Sequence, residues 1–355
     1  MHYLHGMNAA YYEQFQHPIF IKQVPDPAPA AGDVVIQVKA TGLCRSDWHG
    51  WMGHDADIHL PHVPGHEFAG EVVETGRDVR HWKRGDRVTV PFCVGCGTCP
   101  QCRAGNQQIC DNYFQPGFTA WGSFAEFVNV RFADHNLVRL PEDIAYPTAA
   151  VLGCRFITSL RGVVEQGRLQ GGEWVAVYGC GGVGLSAVMI AVALGANVIA
   201  VDIDDGKLDF AQKLGAIAAL HAGKIAGIPE AIHDLTHGGV HLSIDALGSR
   251  QTCRNSIFCL RKRGRHVQLG LMAGQDADPS IPMGAVIAKE LEIIGSHGMQ
   301  AHRYPRMLDM ITAGKLQPEL LIGKTVTLEE GAKELMELNS FKNTGVTVIE
   351  RFNSL

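Results

Sequence analysis

The spacing of apolar and polar positions changes character partway along the chain. Before about residue 150, short apolar runs alternate with Gly, Pro and Asp, and Asp33–Ala40, Glu71–Glu74 and Asp86–Val90 read as strands. Pro25, Pro27 and Pro29 make an extended segment ahead of the first of them. From about residue 154 the runs lengthen. Glu173–Gly179 is almost wholly apolar, as parallel strands buried on both faces are. A helix of small residues follows at Val183–Leu194, then a strand at Asn197–Asp202, then a helix from Asp205 to Leu214 closed by Gly215. Further strands are predicted at Leu242–Asp245, Arg265–Leu269 and Leu291–Ile294. Strand and helix in alternation predict an α/β fold with a doubly wound parallel sheet. Beyond residue 298 the pattern predicts helix, turn and one terminal strand, Gly345–Ile349.

Length and composition narrow the function. A chain of 355 residues predicts about two domains, and 46% hydrophobic with 19% charged residues is the balance of a soluble globular protein. A net charge of -5 gives no basic footprint, so nucleic acid is not an expected partner. No apolar run is long enough to predict a membrane span, and Met1–Ala10 lacks the layout of an export signal. The expected compartment is therefore reducing and cytoplasmic, where the ten cysteines would not pair as disulfides.

Gly179-Cys180-Gly181-Gly182-Val183-Gly184 fits the dinucleotide fingerprint G-x-G-x-x-G. Its setting, between an apolar strand and a helix, gives it weight. Gly179 makes the turn, Gly181 lets the backbone approach a pyrophosphate, and Gly184 lets helix and strand pack closely. Asp202 ends the next strand, where a carboxylate accepts the ribose hydroxyls of NAD and repels the 2′-phosphate of NADP. Lys207 lies within reach of the same ribose edge.

Cys96, Cys99, Cys102 and Cys110 follow C-x2-C-x2-C-x7-C, a set able to close a tetrahedral zinc shell with no open position. An iron–sulfur cluster is the competing metal, disfavoured because nothing else points to electron transfer. Cys93 stands at the wrong offset and reads as a bystander, and Cys180, Cys253 and Cys259 as buried thiols. Cys44, His66 and Cys154 are three more candidate ligands, a Cys2His set that would leave a fourth position open. Spacing alone does not bring them together.

In order along the chain stand the block around Cys44, Gly65-His66-Glu67-Phe68-Ala69-Gly70, the four-cysteine lobe, Gly153-Cys154 and the Gly179 fingerprint. In that order, and at roughly these distances, the chain resembles the zinc-dependent alcohol dehydrogenases of the medium-chain dehydrogenase/reductase superfamily. The resemblance implies a GroES-like, mainly-β catalytic domain over 1–155 and 298–355, interrupted by a Rossmann NAD-binding domain over 156–297. It implies two Zn2+ per subunit, one catalytic on Cys44, His66 and Cys154 and one structural on the four-cysteine lobe. Glu67 matches a carboxylate close to the metal, and Asp47 the group that orients the zinc-bound histidine. Ser46 and His49 match a proton relay that runs along the nicotinamide ribose, with His49 titrating in the physiological range. Arg45, Thr158, Gly182, Val183, Leu269, Gly270, Leu271 and Ser296 match cofactor contacts. Trp48, Trp51, Phe92 and Trp121 fall near positions that wall the substrate pocket. One position departs from the pattern: Val346 stands where many relatives carry a basic residue that pairs with the pyrophosphate, a role left to Lys342 or Arg45.

The expected reaction is reversible, NAD-linked oxidation of primary alcohols, and of secondary ones, to aldehydes or ketones. A polyol dehydrogenase of the same superfamily and a non-catalytic NADH-binding sensor are the alternatives. The expected partner is a small alcohol or aldehyde, and the expected assembly a homotetramer, with a dimer as the smaller option.

Overall fold

The computed structural model describes residues 6–338 and 344–352. The chain divides into two compact units, one of Met1–Cys154, Gly298–Gly314 and Pro318–Leu355, the other of Arg155–His297 with Lys315–Gln317.

The first unit is mainly β. It holds β1 (Met7–Tyr11), β2 (Phe20–Val24), β3 (Val34–Gly42), β4 (Phe68–Thr75), β5 (Arg87–Thr89), β6 (Phe127–Val130) and β7 (Val138–Arg139). β1 and β2 form an antiparallel pair of their own. The long β3 pairs antiparallel with β4 on one side and β6 on the other. Val34, Ile36 and Val38 of β3 meet Phe68, Val72, Val88 and Val128 in a buried apolar cluster, as period-two alternation requires. The short helix α1 (Arg45–Trp51) leaves the end of β3, and the turn before β4 carries Gly65. Gly65 has φ +107, and a Cβ there would stand 2.7 Å from the Phe124 nitrogen. Only glycine fits, and this turn delivers the next residue, His66, into the interior.

The second unit is a six-stranded sheet of β8 (Trp174–Tyr178), β9 (Asn197–Asp202), β10 (Ala218–His221), β11 (Val240–Asp245), β12 (Leu260–Gln268) and β13 (Glu292–Gly295). Its order is β10-β9-β8-β11-β12-β13, with every neighbouring pair parallel. This is the doubly wound sheet the apolar runs predict. A four-residue helix, α2 (Pro100–Arg103), stands in the cysteine lobe of the first unit, and α3 (Gly182–Ala193) follows β8. Eight residues of α3 are buried, in keeping with a helix that is apolar all round. Leu152–Phe156 and Arg161–Gln166, on either side of the helical turn Ile157–Leu160, are wound as π-helix.

The tail holds two strands where the pattern predicts one. β14 (Ile322–Thr327) pairs parallel with β15 (Val346–Arg351), and β15 joins β3. β14 escaped notice because its residues are mostly exposed or half-exposed and carry no apolar run. β10 is short and only partly buried, for a similar result. No helix among the described residues is long and apolar enough to cross a membrane.

Candidate active site

Helix α1 builds the site. Cys44 is its N-cap, and Asp47 completes a capping box by accepting from the Cys44 backbone N–H at 3.0 Å. The other oxygen of Asp47 accepts from Gly65 N–H at 3.0 Å and pairs with His66 Nδ1 at 2.7 Å. One buried carboxylate thus ties the cap of α1 to the turn that precedes β4. Asp47, His66 and Glu67 are all inaccessible to water. Burial, the largest single influence, pulls the His66 imidazole toward its neutral form, but Asp47 and Cys44 together outweigh it and raise its pKa well above the ordinary value.

His66 Nε2 is buried and makes no hydrogen bond. Ligand atoms of Cys44, His66, Glu67 and Cys154 all lie within 4.8 Å of one another. A buried imidazole nitrogen without a hydrogen-bond partner, facing two sulfurs and a carboxylate, fits a tetrahedral zinc site of the open kind. Cys154 arrives from the π-helical stretch after Val151, and Phe92 N–H bonds to Gly153 O at 2.8 Å, which anchors that approach. Ser46 Oγ lies 3.8 Å from Cys44 Sγ.

His49, one turn beyond Ser46, is half-buried, and its Nδ1 stands 3.0 Å from His54 Nδ1. Desolvation, Arg45 and His54 together push its pKa down to about 4, against a smaller opposing effect of Cys44. These surroundings favour the uncharged imidazole at neutral pH. Arg45 is exposed, with its guanidinium over the Trp48 ring at 5.3 Å.

The four-cysteine lobe closes as its spacing predicts. The sulfurs of Cys96, Cys99, Cys102 and Cys110 lie within 4.8 Å of one another and are buried. Backbone N–H groups of Cys96, Cys99, Cys102 and Asn112 point at these sulfurs over 3.2–3.4 Å. Bonds from Thr98 and Asn112, against the cost of burial, bring Cys96 down to about 5, while burial pushes Cys102 up to about 12. Four thiolates at this separation need a cation to ionise together, and the donor set fits zinc. Cys93 is buried, donates to Met299 O, and stands outside both sets. None of the ten cysteines is in a disulfide, and Cys180, Cys253 and Cys259 are buried.

The aromatic residues divide. Phe92 stands edge-on to His66 at 6.2 Å, and so does Phe118 at 5.3 Å, a residue that no motif singles out. Phe118 also lines a cavity of about 380 Å³ with Leu60, Pro61, His62, Thr119 and Trp121. Trp51 is packed in the core with Tyr11, Tyr12 and Leu335, and its Nε1 donates to His17 O. Trp48 shares that core and stands edge-on to both His49 and His54.

In the sheet unit, a Cβ on Gly184 would lie 1.7 Å from Gly179 O, so α3 packs against β8 only because that residue is glycine. A Cβ on Gly181 would meet nothing within 4 Å, which leaves open space at the N-terminus of α3 for a phosphate. Gly182 and Val183 open that helix. Asp202 Oδ2 accepts from Cys180 N–H at 2.6 Å, linking the fingerprint loop to the end of β9. The N-cap of the next helix is Asp204, which accepts from Lys207 N–H. Leu269 and Gly270 donate to Asp245 O beyond β12, and Leu271 is exposed. Ser296 accepts from Arg161, and Thr158 is buried in the helical turn after the π-helical stretch. A larger cleft, about 430 Å³ and lined by Arg168, Glu173, His241, Arg261 and Arg265, holds none of these residues. Val346 is buried against Ala40, Ala150 and Val348, and Lys342 lies outside the described residues.

Residues 30–142 match the alcohol dehydrogenase GroES-like domain, and residues 182–313 the zinc-binding dehydrogenase domain. An alcohol dehydrogenase of Geobacillus stearothermophilus is 32% identical over 97% of this chain and 99% of its own length. An NAD-dependent alcohol dehydrogenase of Sulfurisphaera tokodaii is 31% identical over 94% of this chain and 96% of its own. Among solved structures, alcohol dehydrogenase TADH from Thermus sp. ATN1 superposes with a TM-score of 0.89 at 29% identity, covering 97% of this chain and all of that one. Relatives matched over nearly the whole chain, both domains, and two clustered ligand sets, one closed and one open, agree: the chain belongs to the zinc-dependent alcohol dehydrogenase family of the medium-chain dehydrogenase/reductase superfamily.

Proposed function

We propose that this protein is a zinc-dependent alcohol dehydrogenase that oxidises primary alcohols, and secondary ones, reversibly with NAD. The observation that carries the reading is the buried set of Cys44, His66, Glu67 and Cys154, with His66 Nε2 left without a hydrogen bond inside it. Zinc held by Cys44, His66 and Cys154 supplies a Lewis acid that lowers the pKa of an alcohol, and NAD supplies the hydride acceptor. Asp47 fixes the His66 tautomer, so that Nε2 is the nitrogen offered to the metal. Glu67 adds a carboxylate to the same buried set. Ser46, beside Cys44, takes the hydroxyl proton, and His49 carries it away. The four-cysteine lobe holds a second, structural zinc.

On the cofactor side, the Gly179–Gly184 turn receives the pyrophosphate and Asp202 the ribose hydroxyls. Each Asp202 oxygen already accepts backbone N–H groups, which holds the carboxylate still while lone pairs remain. Arg45, Thr158, Lys207, Leu269 to Leu271 and Ser296 complete the contacts in this reading. The cavity beside Phe118 and Trp121 favours an apolar alcohol over a sugar.

The same reading makes the protein a cytoplasmic homo-oligomer, tetrameric or dimeric. β13 is an edge strand of its sheet, and Met283, Ile287 and Ile293, on it or just before it in the chain, are 54%, 74% and 40% exposed. Light scattering on the purified protein checks this.

The reaction is tested by following NADH absorbance with NAD and a series from ethanol through hexanol and benzyl alcohol to sorbitol, with and without a zinc chelator. Chelator-sensitive turnover of the monoalcohols is expected. Turnover of sorbitol alone would replace the reading with the polyol one, and NAD binding without turnover with the sensor.

A further inference from the structure

We infer that His54 is the last member of the proton pathway, taking the proton from His49 and giving it to solvent; this rests on the reading of His49 given above. The backbone places the two imidazoles together. Helix α1 is capped by Met52, and Gly53, with φ +79, turns the chain into the left-handed region. Gly53 N–H then bonds to Gly50 O and His54 N–H to His49 O, each at 3.0 Å. These are the two bonds of a Schellman motif, which lays the side chain of its last residue over the one three positions before the helix end. That contact is ordinarily apolar. Here it is His54 on His49, with ring centroids 5.3 Å apart and the Nδ1 atoms at 3.0 Å.

A hydrogen bond between two Nδ1 atoms needs one to donate and the other to accept, so the pair is a proton path with a direction. A proton arriving at His49 Nε2 makes an imidazolium. The proton on His49 Nδ1 moves to His54 Nδ1, and the proton on His54 Nε2 leaves to water. One proton enters, one leaves, and exchange with solvent restores the starting tautomers. The exposures suit these roles: His49 is half-buried and His54 is exposed. The groups facing His49 are Arg45, His54 and Cys44. Burial and the positive charge of Arg45 keep a proton from resting on His49, so passing it outward is favoured over holding it. The Trp48 ring, edge-on to both imidazoles, holds the pair from one side.

The test compares His54→Gln with His49→Gln in the zinc-loaded enzyme. Oxidation of a primary alcohol is followed from pH 6 to 9, with and without added imidazole. His54→Gln is expected to lower kcat about three- to tenfold near neutral pH, less than removal of a group nearer the reacting atoms. KM should hardly move, the loss should fade toward pH 9, and imidazole should restore the rate. In protein carrying 15N-labelled histidine, the resonance of the shared Nδ1 proton should disappear in His54→Gln. A His54→Gln enzyme equal to the parent at every pH, with His49→Gln impaired, would overturn the role of His54 and leave the relay standing. Parent-like rates in both variants would overturn the relay itself. A loss uniform across pH and untouched by imidazole would make His54 a packing residue only, and the inference wrong.

Discussion

Replacing Asp47 by Asn keeps the size of the side chain and removes its charge. The carboxylate accepts three hydrogen bonds, from Cys44 N–H, Gly65 N–H and His66 Nδ1, within 2.7–3.0 Å. The amide keeps one accepting atom. In its better orientation the carbonyl oxygen stays on Gly65 and His66, and the NH2 group is forced against the Cys44 N–H. The lost bond to an ionised acceptor costs about 1.5–3 kcal/mol, and the stranded donors add to that because the site is dry. The imidazole also loses the negative partner that raises its basicity as a ligand. Together these give a stability loss of about 2–3 kcal/mol and a fall of about 10- to 100-fold in affinity for the catalytic zinc. A chromogenic chelator titrated against parent and variant measures the second quantity. The zinc of the four-cysteine lobe serves as an internal control, since Asp47 touches none of its ligands. Unchanged release of both zinc ions, with unfolding free energies within about 0.5 kcal/mol of each other, would refute the claim that this carboxylate organises the site.

Cys99→Ala is expected to leave one zinc per chain by mass spectrometry and to lower Tm, because metal binding in the lobe contributes folding energy; two retained zinc ions would refute it. Gly184→Ala puts a methyl group 1.7 Å from Gly179 O. It should abolish NAD binding by fluorescence titration and cost about 1–3 kcal/mol or more, with lobe zinc retained. His62 is held neutral by burial, with its pKa lowered to about 4 despite its bond to Gly117 O. Below pH 6.5 the unfolded chain protonates there and the folded chain does not, so stability falls as pH drops from about 6.5 toward 4. At pH 5 the His62 share of the loss is about 2 kcal/mol. Urea unfolding of His62→Gln should show a pH slope shallower by up to one proton, and an equal slope would contradict the assignment.

What could be read from the sequence was whatever lies in contiguous residues. The fingerprint, the four-cysteine lobe and the apolar parallel strands each carry their own context, and β9 falls at the positions expected of it. The catalytic ligands differ: Cys44, His66 and Cys154 meet only through tertiary structure, so family resemblance rather than spacing brought them together. Phe118 follows an inconspicuous Gly117 in a loop and has no periodic neighbour. The core packing of Trp51 was not legible because an indole in the core and an indole in a wall have the same letter. His54 escaped because its partnership depends on a helix end, where the left-handed Gly53 reverses the chain. The charge state of His49 depends on burial and on that neighbour, neither of which composition reveals.

The widened turns around Cys154 constrain how the gene can change. In a helix, deleting one residue turns everything beyond it by roughly 100°. The π-helical stretch Leu152–Phe156 sets the phase at which Cys154 emerges, and Gly153 O is pinned to Phe92 N–H just before it. A single-codon loss between Ala150 and Cys154 would swing the thiol out of the ligand set while leaving its identity intact. The length of this segment is therefore as much a part of the metal site as the cysteine it carries.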